Sequence, residues 1–338
     1  MDLGAEQKGI GVDLSIVTTL YRSAPFIAAF HARITAAAEA ITHDYELIFV
    51  NDGSPDDSLE RVISIARNDP HVKVIDLSRN FGHHPAILAG LSYASGERVF
   101  LIDVDLEEQP EWLPSFWTTL EASEADVAYG VQKERKGSFF KRQTGALFYT
   151  LFNFASRTEL PRNCCTVRLM KKAYVQAILS LTESNVFLAG LFYWAGFQQI
   201  GITVDKTLRP SRSTYTLGRL FTLFVDALTS FSAYPLKAVF FIGIFMTAAS
   251  MSAGIYMIVR KLLHPHLLLS GYSSIMVSVW FLGGLIICFL GIIGVYLSAM
   301  FTETKQRPRY LIRAVWPPST HVPGVDADKV HAGGSVRL

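Results

Sequence analysis

Asp103 and Asp105 close an apolar run at 99–104 that reads as a strand. Two residues apart on a strand, their side chains share one face. Adjacent carboxylates repel, and a hard divalent cation is the usual remedy. Mg2+ or Mn2+ would take these oxygens and keep its other coordination sites for a substrate diphosphate. Glu107, two residues further on, is the candidate third ligand, direct or through water. An Asp-x-Asp pair is also common on solvated surfaces. Its place at a strand end, beside two other polar clusters, favours the metal.

The first of those clusters is the turn Asn51-Asp52-Gly53-Ser54, which follows an apolar run at 46–50. Asp52 there can accept hydrogen bonds from a base or ribose, or cap a helix at 57–67, a role open also to Ser54 or Asp56. The second is Ser78-Arg79-Asn80-Phe81-Gly82-His83, where glycine permits a tight turn. Arg79 suits either a ligand or a surface ion pair. His83 and His84, just before Pro85, read as loop polarity rather than as an acid pair or ligands. The neighbouring Cys164 and Cys165 have no histidine close in sequence and read as unreactive.

The elements that must position these groups alternate along 13–205. Apolar runs of strand length stand at Leu14–Leu20, 46–50, Val72–Leu77, 99–104, 126–130 and Gln199–Val204. Helical periodicity separates them at 25–40, 57–67 and 85–93. That alternation predicts an α/β domain with a largely parallel sheet. Ligands of such sheets bind beyond the carboxyl ends of the strands, where the three polar clusters fall.

Composition divides the chain. Of 338 residues, 50% are hydrophobic and 18% charged, below the soluble norm of about 25%. Such a chain is not disordered. A net charge of +2 argues against nucleic acid as the main partner. Three cysteines, two of them adjacent, cannot build a disulfide framework and suit a reducing compartment. The charge deficit is local: residues 238–302 carry only Arg260 and Lys261. Two uncharged runs there, 238–259 and 267–302, are each long enough to cross a bilayer core of about 30 Å at about 1.5 Å per residue. The expected crossings are 238–259 and 274–300, joined by a turn at 264–271.

Arg209, Arg212, Arg219 and Lys237 precede this hairpin, and Lys305, Arg307, Arg309 and Arg313 follow it. They outnumber Arg260 and Lys261 in the turn, so both termini are expected in the cytoplasm. The polar N-terminus shows no signal peptide. Residues 215–232 and 139–156 are amphipathic and are expected to lie as interfacial helices. Ala249-x-x-x-Ala253 and Ser250-x-x-x-Gly254 suit helix contacts within one chain or between copies, which leaves a homo-oligomer open. The expected division is thus 1–209 catalytic, 210–236 interfacial helix, 237–302 membrane hairpin and 303–338 tail.

In order and spacing, Asn51-Asp52-Gly53-Ser54, Arg79-Asn80-Phe81-Gly82-His83 and Asp103-Val104-Asp105-Leu106 resemble glycosyltransferase family 2. With the amphipathic segment and two spans, the chain to about Arg313 is similar to the polyprenyl-phosphate glycosyltransferases, the dolichol-phosphate mannose synthase group and its bacterial relatives. The resemblance implies a GT-A type, Rossmann-like domain with a nucleotide-sugar donor, a divalent metal and a polyprenyl phosphate acceptor. It implies donor binding by Thr19, Tyr21, Asp52, Arg79, Asn80 and Asp103, and metal binding by Asp103, Asp105 and Glu107. Arg142, Arg209 and Arg212 are the candidate grips on acceptor phosphate, because guanidinium fits phosphate oxygens bidentately. Asp103, Asp105, Arg142 and Arg209 form the expected catalytic set.

The sequence departs from the family pattern at Thr19-Leu20-Tyr21-Arg22-Ser23, at Glu107, at Cys165-Thr166-Val167-Arg168-Leu169 and at Arg209-Pro210-Ser211-Arg212-Ser213. These changes leave donor base and sugar open. The expected activity is a metal-dependent, inverting transfer of a sugar to polyprenyl phosphate at the cytoplasmic face of the membrane. The alternatives are another lipid-linked or polysaccharide acceptor, or a non-catalytic membrane partner.

Overall fold

The computed structural model describes residues 11–132, 164–181, 183, 188–206, 234–263 and 272–317. These residues fall in two compact units. One holds those up to 206 together with 308–317; the other holds two long C-terminal helices, to residue 307.

The first unit is built on an eight-stranded mixed sheet. Its strands are β1 (Leu14–Leu20), β2 (Tyr45–Asn51), β3 (Val72–Leu77), β4 (Arg98–Leu101), β5 (Val127–Gln132), β6 (Cys164–Lys171), β7 (Gln199–Val204) and β8 (Ile312–Trp316). Their order across the sheet is β7-β5-β6-β4-β1-β2-β3-β8. β1 runs parallel to β2 and β4, and β2 to β3. These strands are buried on both faces, which is why they read as continuous apolar runs. Helix α1 (Ile27–Glu39) follows β1, α2 (Ser58–Asn68) follows β2 and α3 (His83–Tyr93) follows β3. Beyond β4 come a short 3-10 turn at Pro110–Trp112 and α4 (Leu113–Glu121), and α5 (Lys172–Ser180) and α6 (Leu188–Trp194) lie between β6 and β7.

Helices cover both faces of the sheet. Ile27, Phe30 and Ile34 of α1, Val62 of α2 and Phe116 of α4 join one core with Ile16, Phe49 and Phe100. Ile87 and Leu91 of α3, Tyr174 of α5 and Phe192 of α6 join the other with Val17, Ile48 and Leu101. Gly90 lets α3 lie close: a Cβ there would meet Val17 Cγ1 at 2.4 Å and Val50 Cγ2 at 2.9 Å.

The expected strands and helices of 13–205 are present, and three strands of the sheet differ from the expectation. β4 ends at Leu101 rather than 104, so Asp103 and Asp105 stand in the loop beyond it. Two strands escape the periodicity reading. β6 runs antiparallel to β4 and β5, its Cys165, Val167 and Leu169 facing one core and Cys164 and Met170 the other. β8 lies in the stretch expected to be a tail; its five residues pair antiparallel with β3 at the sheet edge. A short edge strand is only half-buried and carries little apolar alternation.

The second unit contains α7 (Tyr234–Leu263, 30 residues) and α8 (Tyr272–Thr304, 33 residues), which touch each other. Both expose large apolar side chains, among them Phe245 at 73% and Ile287 at 71%. Among the described residues one segment, Phe281–Thr304 in α8, is long and apolar enough to cross a membrane by length and composition. The expected interfacial segments 139–156 and 215–232 lie outside the described residues.

Candidate active site

One edge of the sheet gathers the polar clusters. β1 to β4 end there, and so does β7, which is parallel to β5 and runs in the same sense as β4 through the antiparallel β6. The antiparallel β6 and β8 begin there. Loop residues from distant parts of the chain are therefore neighbours.

Asp52 follows β2 and ties two of these loops together. Its carboxylate oxygens accept the Phe81 N–H at 2.7 Å and the Gly82 N–H at 3.0 Å, while Asn80 Nδ2 donates to its carbonyl at 3.1 Å. Burial pushes the Asp52 pKa up, and those amides with His83 and Arg79 pull against it. Gly53 makes the approach possible, with φ +58° and the Asn80 backbone nitrogen 2.5 Å from where a Cβ would stand. The α2 N-terminus is served by Asp56, whose carboxylate accepts the Ser58 amide at 3.2 Å, so Asp52 is not spent on capping. Arg79 lies over the Phe81 ring at 4.1 Å and donates to the Asn80 carbonyl at 3.1 Å.

At the end of β1, Thr19 Oγ1 is 3.1 Å from His83 Nδ1, and the other ring nitrogen of His83 is 3.5 Å from Asp103 Oδ1. His83 thus bridges β1 and β4 at the switch point of the parallel strands, the place where such sheets receive ligands. Desolvation lowers its pKa, against the pull of Glu108, Asp52 and Asp105. Tyr21 is 48% exposed beside Arg22, which takes the left-handed φ of +56°.

The Asp103–Glu108 loop is acidic and tightly folded. Asp105 accepts the Glu107 N–H at 3.0 Å across Leu106, whose φ of +63° closes the turn. Glu108 is fully buried, and its carboxylate accepts the Thr166 N–H at 3.0 Å and the Asp103 N–H at 3.4 Å. Lys206, two residues beyond β7, stands 3.5 Å from Glu108 and 3.8 Å from Glu107. Burial raises the pKa of both Asp103 and Glu108; Asp105 and Glu107 push Asp103 further up, Asp103 does the same to Glu108, and Lys206 pulls both down.

The structure therefore brings Thr19, Asp52, Arg79, Asn80, Asp103, Asp105 and Glu107 to one sheet edge, with Tyr21 next to them. The Glu107 carboxylate faces Lys206, and among the described residues no three His, Cys, Asp or Glu side chains are arranged to hold a metal. Arg142, Arg209 and Arg212 lie outside the described residues. Sequence reasoning passed over Glu108 and Lys206 and read His83 as loop polarity. The available signal was position: each directly borders a strand end or loop on the edge that carries the other clusters.

Residues 15–179 match the family described as glycosyl transferase family 2. A Mycobacterium tuberculosis protein described as "Putative glycosyltransferases" is 42% identical over 303 residues, covering 90% of this chain and 88% of its own. The uncharacterized glycosyltransferase YkcC of Bacillus subtilis is 35% identical over 309 residues, 89% of this chain and 94% of its own. The bactoprenol glucosyl transferase of Shigella phage SfX is 33% identical over 303 residues, 89% of this chain and 99% of its own. The mixed α/β sheet with its loop edge is the GT-A-like fold of this family. The chain belongs to glycosyltransferase family 2 and is a glycosyltransferase.

Proposed function

We propose that the protein transfers a sugar from a nucleotide-sugar donor to polyprenyl phosphate at the cytoplasmic face of a membrane, with inversion at the anomeric carbon. The observation that carries this reading is the convergence of Asp103 and Asp105 with the Asp52 and Arg79–His83 loops at one sheet edge. The bactoprenol glucosyl transferases among its relatives support the lipid acceptor.

In this proposal Arg79, Asn80 and the exposed Tyr21 ring hold the nucleotide, and Thr19 with His83 forms the floor beside Asp103. Asp52 acts by fixing the two loops, since both its oxygens are engaged by backbone amides. Burial disfavours charge on Asp103 and Glu108, Asp105 and Glu107 add to that at Asp103, and Lys206 faces Glu107 and Glu108. That surplus of hard oxygen donors fits Mg2+ or Mn2+ on Asp103 and Asp105. Glu107, already facing Lys206, would join through water. Such an ion, when bound, neutralises charge on the leaving nucleoside diphosphate.

The acceptor phosphate is anionic at neutral pH, so the chain need not supply a general base. A phosphate oxygen attacks the anomeric carbon, the bond from that carbon to the donor diphosphate breaks, and the nucleoside diphosphate departs. The protein's part is to position the reactants and stabilise charge. Arg142, Arg209 and Arg212 remain the proposed grips on the acceptor phosphate. Both α7 and α8 are proposed to cross the bilayer, on the strength of their length and exposed apolar side chains. At about 1.5 Å per residue each exceeds the hydrocarbon core of about 30 Å.

The test is thermal unfolding of the full chain in detergent with Mn2+ and a panel of nucleotide sugars. One donor is expected to raise the midpoint in wild type and not in Asp105→Ala. No shift with any donor would favour a non-catalytic partner.

A further inference from the structure

β8 is fastened to the donor side of the sheet by more than backbone pairing. Its register with β3 runs Val74 to Trp316, Ile75 to Val315 and Asp76 to Ala314, then jumps to Leu77 opposite Ile312. Arg313 is the residue skipped. A bulge of this kind re-aims the side chain it carries. Here Arg313 Nη2 donates to the Ser78 carbonyl at 2.5 Å, and Nη1 stands 3.4 Å from Asp76 Oδ2. The Ser78 N–H in turn donates to the Leu311 carbonyl at 2.8 Å. Ser78 is the last residue before Arg79, so both backbone groups at the root of the Arg79–His83 loop are held by β8 and the residue just before it.

Asp76 carries the connection to the second loop. Its carboxylate is 1% exposed, and Oδ1 accepts from Asn51 Nδ2 at 2.8 Å. Asn51 Oδ1 accepts the Ser54 N–H at 3.2 Å, which closes the Asn51–Ser54 turn. Ser54 Oγ accepts the Arg22 N–H at 2.7 Å, at the residue whose left-handed backbone ends β1. Arg309 adds a further tie between the same C-terminal segment and the rest of the sheet unit, its guanidinium donating to the Leu181 and Glu183 carbonyls. The segment begins only a few residues after α8 ends at Thr304.

We infer that Arg313 is a positioning residue for donor binding: through Ser78 it fastens the Arg79–His83 loop, and through Asp76 and Asn51 it fastens the Asn51–Ser54 turn. It touches no substrate. This rests on the proposed reading that these two loops hold the nucleotide, and it goes beyond that reading by assigning their rigidity to the chain that follows α8.

The experiment uses the full chain in detergent, as wild type, Arg313→Gln, Arg313→Lys and Arg79→Ala. Backbone amide exchange and donor KM and kcat are measured for each. Arg313→Gln is expected to speed exchange at 51–54 and 78–82, with the centres of β1 and β2 unchanged. It is expected to raise donor KM about fivefold or more with kcat within about twofold, and acceptor KM unchanged. Arg313→Lys keeps a cation beside the buried Asp76 and is expected to fall between wild type and Arg313→Gln, which separates loop loosening from failure to fold. Unchanged exchange in Arg313→Gln would overturn the fastening. Faster exchange with unchanged donor KM, while Arg79→Ala raises it, would overturn the positioning role. If donor KM is unchanged in both variants, the donor reading of the loops fails and the fastening stands or falls on exchange alone.

Discussion

Replacing Gly53 by alanine places one methyl group between the two loops proposed to hold the donor. The Cβ would stand 2.5 Å from the Asn80 nitrogen, 2.6 Å from the Arg79 carbonyl carbon and 3.1 Å from Arg79 Cα. All three are backbone atoms, so no side chain can swing away and the loop itself must move. Two penalties combine. Left-handed backbone, here φ +58°, costs an L-residue about 1–2 kcal/mol. Overpacking adds about 1–3 kcal/mol. The sum, about 2–5 kcal/mol, corresponds to a fall of roughly 4–20 °C in the apparent unfolding midpoint of a unit this size. If about 1.4 kcal/mol of it appears as a displaced Arg79–Asn80 loop, donor KM rises about tenfold. The assay pairs thermal unfolding with donor KM and acceptor KM. A midpoint unchanged from wild type would refute the steric argument. A lowered midpoint with unchanged donor KM would refute the placement of the nucleotide at these loops.

Other outcomes follow from the same geometry. Asp56 is held at about 2, below the ordinary 3.8: burial works to raise it, and hydrogen bonds from Ser54, Ser58 and the Ala24 amide outweigh that. A depressed carboxylate stabilises the fold above its unfolded pKa and loses that contribution as pH falls through the folded one. Asp56→Asn is therefore expected to lower stability by about 1 kcal/mol at pH 7, discounted for partial exposure, with the gap closing between pH about 4 and about 2; denaturant melts across that range check it. Lys206→Met removes the cation nearest Glu108 and is expected to lower the midpoint without metal while enlarging the shift produced by Mn2+. An equal Mn2+ shift in both proteins would show that Lys206 does not offset the carboxylate cluster.

How much of this was legible in the sequence depended on whether the signal was local. The buried parallel strands β1 to β3 announce themselves because both faces are covered and apolar residues dominate each of them. Asp103 and Asp105 were found because their spacing is itself chemical. β8 was hidden because an edge strand of five residues needs no strong pattern, and its partner lies more than 230 residues upstream. Glu108 and Lys206 were hidden for a related reason. Glu108 carries no sequence signal of its own: the Thr166 amide that covers it arrives on the antiparallel β6, which reads in sequence as a motif rather than a strand. His83 was misjudged because its two partners, Thr19 and Asp103, are 64 and 20 positions away.

Transfer of radiolabelled sugar from its nucleotide to polyprenyl phosphate, in vesicles carrying the full chain, tests the central claim most directly. Label is expected to appear in the lipid fraction with Mn2+ or Mg2+ present, to vanish on chelation, and to vanish in Asp105→Ala. Undiminished transfer by Asp105→Ala would contradict the metal assignment, and label that never enters the lipid with any donor would contradict the proposed acceptor.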